Sequence, residues 1–478
     1  MAICTGDCKK NIRLTVRERG TFVLLSIVVF MGLYLYSGVH ICADYQQYLE
    51  MHINREPGYP MFLLLLRTIF GGNEIYFSVA AIVQSIFIAL AIAYITITVS
   101  ELFGLDRLCR FLVWVIFLVP SLVTALLSQT HLIISCSIIS EALTFPMFII
   151  FVGLLLRACF GEKNNGRYWI ASMIAAFLSS FVRGQLMPMM MVCALLWIVD
   201  VIRRRNDSGK MIRKISRCAA IVAFMGLLFA GRLLMIKSYN LYFSGSFVNN
   251  TYGSVSFSVQ AMFVADEDDI RYISDERTRH MFPIVYQEMQ KSKANIDYVG
   301  SDDIRNIAYY IEDKHDGVKY YCVEGPTREY LRTLGMQDYV EQNIEIDRIA
   351  SNMSRAVLSH HLGGWLRDYF GISINGLIRS IAYDKSVLTA VAVCLYCIAV
   401  IMQIVLWKRD HESRSAYLIG IALLIILANV YATSLMIMCL SRYMIYGFPL
   451  FYTALLIMFR DIISGRRSEK VYNGKKDS

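Results

Sequence analysis

The sequence predicts an all-α membrane protein with about ten transmembrane helices, an interfacial helix and a mostly helical outer subdomain. Of the 478 residues, 56% are hydrophobic and only 18% are charged, and the mean hydropathy is +0.47. A soluble chain of this length needs more charge to cover its surface. Apolar runs of about 18 residues or more, long enough to cross a hydrocarbon core, recur along the chain.

Hydropathy and charge asymmetry place each helix. With the N-terminus inside, the predicted spans are 21–41, 75–100, 110–128, 136–158, 168–183, 187–202, 216–237, 386–407, 415–438 and 443–460. The stretch 57–70 is amphipathic and is expected to lie at the outer interface, since Pro57 begins it and Gly71 ends it. A tight outer turn at Arg183 and Gly184 is expected to join the two short spans beside it.

The net charge of +9 follows the positive-inside rule. Lysine and arginine cluster in the segments that alternate spans place on one side, namely the N-terminus, 203–217, 408–409 and 466–467. This distribution is typical of a membrane protein with both termini in the cytoplasm, and it argues against nucleic acid as a partner. The short cytoplasmic loops favour a bacterial plasma (inner) membrane, with the active site on its extracytoplasmic side.

The chain divides into three predicted parts. Residues 1–237 form an N-terminal membrane module, 238–384 an extracytoplasmic subdomain, and 385–478 the C-terminal transmembrane helices with a basic tail. Residues 238–384 contain 14 Lys and Arg against 21 Asp and Glu, whereas the rest of the chain is strongly basic. Apolar residues recur at helical spacing there, which favours short helices over a sheet. A segment of this length is expected to close over a membrane-embedded site.

Outer loops are expected to be poor in Lys and Arg, so the arginines predicted there need an explanation. They are Arg55 with Arg67, Arg183 and Arg442. Guanidinium groups hold phosphate through paired hydrogen bonds, so Arg55, Arg183 and Arg442 are expected to bind an anionic lipid headgroup. The alternative is that each arginine pairs with an outer carboxylate or reaches to the membrane interface.

Two carboxylates are the candidate catalytic groups. Asp44 follows the first span, where it can take a proton from a hydroxyl; the alternative is a helix-end Asp satisfied by backbone amides. Glu141 lies near the outer end of an apolar run, where an ionised group is costly. It is expected to orient an acceptor, pair with an arginine or bind a divalent ion, and a structural hydrogen bond is equally compatible. Glu56, beside Arg55, is expected to form a local ion pair.

Other common chemistries lack a motif in this sequence. The histidines show no His-x-x-x-His or His-Glu-x-x-His spacing, so no zinc site is predicted. No Gly-x-x-x-x-Gly-Lys or Gly-x-Gly-x-x-Gly loop is present, which argues against nucleotide-driven chemistry. The acidic run 266–269 is expected to be a solvated loop.

Several short motifs share the predicted outer face. They are Asp44-Tyr45, Arg55-Glu56-Pro57-Gly58-Tyr59-Pro60 with Phe62-Leu63, Phe70-Gly71, Ser140-Glu141-Ala142-Leu143, Arg183 and Arg442-Tyr443. In their order along the chain and in the side of the membrane predicted for them, these motifs resemble the GT-C superfamily of membrane glycosyltransferases. The resemblance is to bacterial relatives of dolichyl-phosphate-mannose protein mannosyltransferases in particular. The resemblance is concentrated in residues 20–200, with weaker similarity in the last spans.

The resemblance implies an inverting transfer of a sugar from a polyprenyl-phosphate donor to a glycan, lipid or protein acceptor. Asp44 would activate the acceptor hydroxyl, and the arginines would stabilise the leaving phosphate. Tyr45, Tyr59 and Tyr443 are expected to contact substrate. Many relatives carry adjacent acidic residues in the first loop, whereas Asp44 is followed by Tyr45, so a divalent cation stays open and no other cofactor is expected.

Two other functions stay open. A polyprenyl-linked polysaccharide polymerase or ligase carries similar Asp-Tyr and Glu-Pro-Gly-Tyr elements, but it is expected to need no first-loop carboxylate. A transporter of lipid-linked sugars typically shows internal repeats and ionisable residues at mid-membrane. This sequence has no visible repeat, and its charged candidates cluster at the outer boundary.

Overall fold

The computed structural model describes residues 13–72, 74–127, 133–161, 165–203, 211–382 and 386–474, and most of them are helical. The helices are α1 (Val16–Ser37), α2 (Tyr45–Leu49), α3 (Gly58–Phe70), α4 (Ile75–Phe103), α5 (Arg107–Leu127), α6 (Ser140–Phe160), α7 (Gly166–Val182), α8 (Pro188–Arg203), α9 (Met211–Ser244), α10 (Gly253–Phe263), α11 (Glu276–Lys291), α12 (Ile304–Gly317), α13 (Gly325–Thr333), α14 (Tyr339–Arg379), α15 (Ser386–Arg409), α16 (Arg414–Met436), α17 (Ser441–Met444) and α18 (Phe448–Gly474). The described part of the chain also contains two short strands, β1 (His40–Ile41) and β2 (Ser137–Ile138).

Eight helical segments in the described residues are long and apolar enough to cross a membrane. They are Val16–Ser37, Ile75–Phe103, Ser140–Phe160, Gly184–Arg203, Met211–Ser244, Leu388–Arg409, Arg414–Met436 and Phe448–Gly465. These helices confirm the all-α class and the multi-pass character of the chain. Helices α3 and α7 are apolar but shorter, so the count of ten spans and the interfacial position of α3 stay predictions.

Two predicted boundaries are wrong because the chain forms a strand pair instead of a helix end. α1 stops at Ser37, where Gly38 takes a φ of +66° that favours glycine. β1 then pairs in parallel with β2, with His40 opposite Ser137 and Ile41 opposite Ile138. As a consequence α6 begins at Ser140, later than the predicted start of its span.

The strand pair joins two distant loops at one end of the helix bundle. In a parallel pair the chain leaves both strands in the same direction. Asp44 follows β1 by three residues and Glu141 follows β2 by three residues, so the pairing brings both candidate carboxylates to the same edge. We call this end of the bundle the cavity end.

The opposite end of the bundle holds the other termini of the same helices. Glu101 lies near the end of α4, Arg157 near the end of α6 and Arg19 near the beginning of α1. Arg157 follows Glu141 by sixteen positions in α6, which corresponds to about 24 Å at the rise of an α-helix. We call this the opposite end.

Residues 253–379 are largely helical, as the sequence predicts. Helices α10 and α12 pack on α14, which bends at His361, where the backbone leaves helical geometry (φ −109°, ψ 23°). Met281, Phe282 and Met353 are fully or almost fully buried in the core of this region. Between α12 and α13 the chain forms a π-helical segment, Val318–Glu324. The three-part division of the chain stays a prediction.

Candidate functional site

A cavity of about 680 Å³ lies at the cavity end, between the apolar bundle and the helices of residues 253–379. Its wall is rich in charge. The ionisable side chains that line it are Asp44, Arg55, Glu56, Glu141, Arg183, Glu312, His315, Asp316, Lys319 and Arg442, with Tyr48, Tyr252, Tyr320 and Tyr443. A pocket with this lining suits a polar, charged ligand better than an apolar one.

Asp44 lies on the wall that the first loop contributes. It precedes α2 at the capping position, but its side chain makes no capping hydrogen bond, so backbone amides do not satisfy this carboxylate. Instead Arg55 donates from Nη2 to Asp44 Oδ1 at 2.7 Å and from Nε to Gln47 at 2.7 Å. The Asp44 side chain is 41% exposed, which leaves the carboxylate accessible to a ligand in the cavity.

Glu141 lies deeper and is held by two arginines. Its side chain is only 7% exposed, and Arg183 Nη1 lies 2.7 Å from its Oε2. Arg442 Nε lies 3.9 Å from Glu141 Oε1. Of the alternatives that the sequence leaves open, the structure therefore has Glu141 paired with arginine.

Tyr443 connects the same two arginines. The guanidinium carbons of Arg183 and Arg442 stand 4.5 and 4.8 Å from the centroid of its ring, and Arg442 also donates to its hydroxyl at 2.8 Å. Cation–π contacts of this kind restrict where each guanidinium can lie. With Glu141, the ring holds Arg183 and Arg442 close together at the cavity wall.

The expected ion pair between Glu56 and Arg55 is wrong. Glu56 Oε1 binds Arg232 of α9 at 2.6 Å, while Arg55 binds Asp44. Gly184 makes the Glu56–Arg232 contact sterically feasible, because a Cβ on this residue would stand 2.6 Å from Glu56 Oε1. Arg232 was hidden from sequence analysis because it lies inside an apolar run.

Tyr252, Lys319 and Tyr320 also line the cavity, although none of them stands out in the sequence. Lys319 Nζ stands 3.8 Å from the ring centroid of Tyr252, and the hydroxyl of Tyr252 donates to that of Tyr320 at 2.9 Å. Burial lowers the pKa of Lys319 to about 8 and raises the pKa of Tyr252 well above its usual range. Lys319 and Tyr320 belong to the π-helical segment Val318–Glu324, a feature that is frequent at functional sites.

The remaining predicted residues lie elsewhere. Tyr59 is fully buried and Tyr45 partly buried in an apolar cluster with Leu63 and Phe77. Tyr59 packs edge-on against Tyr48 with 4.9 Å between ring centroids. The structure does not bring Tyr45 or Tyr59 into the cavity lining, whereas it places Asp44, Arg55, Glu141, Arg183, Arg442 and Tyr443 there.

The described residues contain no group of three or more His, Cys, Asp or Glu side chains arranged to hold a metal ion. Asp44 and Glu141, the carboxylates nearest to the candidate chemistry, each have an arginine partner. We therefore derive no step through a divalent cation.

Comparisons with protein-family models, with curated proteins and with solved structures find no match.

Proposed function

We propose that this protein is an inverting glycosyltransferase that uses a polyprenyl-phosphate sugar as donor. The observation that carries the proposal is the convergence of Asp44, Arg183 and Arg442 on one charged cavity at the end of a bundle of apolar helices. A carboxylate that can accept a proton and guanidiniums that can hold a phosphate are the groups that such a transfer needs.

An apolar surface leads towards this cavity. Leu427, Tyr431 and Leu435 lie four residues apart along α16, and each is partly exposed. Met436, which directly follows Leu435 at the end of α16, lines the cavity. A polyprenyl chain in the membrane could lie along this stripe while its phosphate sits between the arginines.

The proposed reaction is a single displacement. The acceptor hydroxyl attacks the anomeric carbon and forms a new C–O bond, while the bond between that carbon and the phosphate oxygen breaks. Asp44 takes the hydroxyl proton, and polyprenyl phosphate leaves with the electron pair of the broken bond. Arg183 and Arg442 stabilise the negative charge on the leaving phosphate. Glu141 acts as a positioning residue, because it contacts both arginines and is itself buried.

The orientation in the membrane is part of the proposal. Arg19, Arg110, Arg157 and Arg460 lie at the opposite end, and the positive-inside rule places such a basic end in the cytoplasm. The cavity would then face the extracytoplasmic side of a plasma (inner) membrane. The glycan, lipid or protein acceptor would reach it from there.

A transfer assay tests this function. The full-length protein in proteoliposomes is given radiolabelled polyprenyl-phosphate hexoses and pentoses with glycan, lipid and peptide acceptors. We expect release of polyprenyl phosphate together with a product of inverted anomeric configuration. Movement of intact donor across the membrane with no released phosphate would instead identify a transporter, and products of growing length would identify a polymerase.

A further inference from the structure

Lys319 is a buried cation that forms no direct ion pair within the described part of the chain. The residue is only 7% exposed, and its Nζ contacts the rings of Tyr252 and Tyr320, with centroids at 3.8 and 5.1 Å. Among the described residues no carboxylate oxygen comes within ion-pair distance of this Nζ. Burial of an ammonium without such a partner is costly, and a bound anion would offset this cost.

The other charges around the cavity are mostly paired. The pairs are Asp44 with Arg55, Glu141 with Arg183, Glu56 with Arg232, and Glu312 with Arg379. Arg442 has a more distant contact with Glu141 at 3.9 Å. Asp316 interacts with His315 at 3.2 Å and is 82% exposed, so water screens its charge. Arg442 and Lys319 are thus the cations that can accept a new anion at least cost.

His315 adds a second polar group to the wall that carries Lys319. The two residues are four apart, about one helical turn, and both line the cavity. His315 is 7% exposed, and its Nε2 is buried with no hydrogen-bond partner in the described structure. When this ring carries a proton on Nε2, the atom can donate a hydrogen bond to the same anion.

We propose that Lys319 and His315 form a second anion-binding subsite, which takes a carboxylate or phosphate group carried by the acceptor or by the transferred sugar. A donor with one phosphate is already matched by Arg183 and Arg442, which line the same cavity. The neighbouring rings of Tyr252 and Tyr320 offer flat apolar faces on which a sugar ring can stack. The identity of the substrate in this proposal rests on the proposed function, whereas anion binding at Lys319 does not.

The lowered pKa of Lys319 offers a way to detect an anion bound at this subsite. Burial lowers the pKa of Lys319 to about 8; Asp316, Glu324 and Asp44 oppose this effect, whereas Arg55 adds to it. A bound anion would favour the charged amine and raise this pKa. A rise of one pKa unit reduces the neutral, reactive amine about tenfold at a pH below both values.

Acylation of Lys319 therefore reports on the subsite. The full-length protein in nanodiscs is treated with acetic anhydride, and the labelling rate of each lysine is read by mass spectrometry with glucuronate, inorganic phosphate or neutral glucose present. We expect glucuronate and phosphate to slow labelling of Lys319 about tenfold and glucose to have no effect. Lys291, which is exposed and pairs with Glu288, is the internal control and should not respond.

Two variants separate this subsite from the donor-phosphate site. In Arg442→Ala the protection by glucuronate should persist, and in His315→Ala it should weaken. Unchanged labelling in all anions would overturn the proposal, as would protection by polyprenyl phosphate equal to that by glucuronate, because the lysine would then belong to the donor-phosphate site. Protection of Lys319 without any transfer activity would contradict the proposed function and leave the subsite standing.

Discussion

The two ends of the helix bundle hold the same ionic arrangement in different surroundings. At the cavity end Glu141 lies 2.7 Å from Arg183 and 3.9 Å from Arg442. At the opposite end Glu101 lies 2.6 Å from Arg19 and 3.4 Å from Arg157. Both carboxylates are largely buried, with side chains 7% and 12% exposed.

The difference between the two ends lies in what surrounds the arginines. Glu101 links three helices, and Arg157 also donates to Thr98 within this cluster at 3.2 Å. Around Glu141 the arginines border a cavity that Lys319 also lines, and both arginines contact the ring of Tyr443. A carboxylate with two arginines is thus a structural link in either place, and the cavity with its additional cations is what makes one of them a candidate site.

Substitution of Glu141 and of Glu101 should give the largest difference in sugar transfer between the two ends. Glu141→Gln and Glu101→Gln should both lower thermal stability, because each leaves arginines near an uncharged partner. Only Glu141→Gln should also reduce sugar transfer, by about 100-fold, since Arg183 and Arg442 lose the group that positions them. Transfer rates normalised to folded protein measure this difference. Equal transfer rates in the two variants would remove the distinction between the ends.

Substitution of one arginine at each end should give the next largest difference, in the binding of polyprenyl phosphate. Arg442→Ala should weaken binding of polyprenyl phosphate about tenfold or more, the loss expected for one charge-assisted hydrogen bond. Its side chain is 53% exposed, so little stability should be lost. Arg157→Ala, at the opposite end, is the matched control and should bind the lipid as wild type does. Binding is measured by titration of the lipid into protein in nanodiscs.

Gly184→Ala tests the packing behind the cavity wall. The added Cβ would stand 2.6 Å from Glu56 Oε1, so the carboxylate must move away from Arg232, at a cost of about 1–3 kcal/mol. Gly226→Ala in α9 meets nothing within 4 Å and should be neutral or slightly stabilising. Thermal unfolding of both variants measures the difference. A Gly184→Ala variant as stable as wild type, with the Glu56–Arg232 pair intact, would show that Glu56 does not lie this close to residue 184.

Lys319→Met should have a smaller, pH-dependent effect. The folded-state pKa of Lys319, about 8, lies below the ordinary 10.5, so between these values the unfolded chain binds more protons. Stability should therefore rise with pH across this window in wild type, by about 1–3 kcal/mol, and the variant should lack the rise. Lys214→Met at the opposite end is the control, since Lys214 is only partly buried and donates to Ile202. Unfolding midpoints measured from pH 7 to 10 test whether stability rises with pH in wild type and not in Lys319→Met.

Sequence analysis found the part of the site that the membrane constrains. Asp44, Arg55, Glu141, Arg183 and Arg442 stand out because a charge beside an apolar span is costly and rare. All five line one cavity in the structure. Helix existence and type also follow from the same apolar runs, since their length is set by the bilayer.

The rest of the site depends on contacts between residues that are distant in the sequence, and no local sequence pattern predicts such contacts. Lys319 and His315 lie in a polar, helical region where a charge is ordinary, so neither stands out in the sequence. The pairing of β1 with β2 involves two residues on each strand, separated by almost one hundred residues, and carries no periodic signal. Arg232 lies within an apolar run, and its partner Glu56 became apparent only in the folded chain.

Separate measurement of donor binding and sugar transfer in Asp44→Asn tests the central claim most directly. The proposed function predicts that the variant binds polyprenyl-phosphate sugar as wild type does, because Arg183 and Arg442 remain in place. Transfer should fall by about 10²- to 10⁴-fold, the usual contribution of a general base. Transfer at the wild-type rate in Asp44→Asn would contradict the account, since the carboxylate would then have no part in the chemistry.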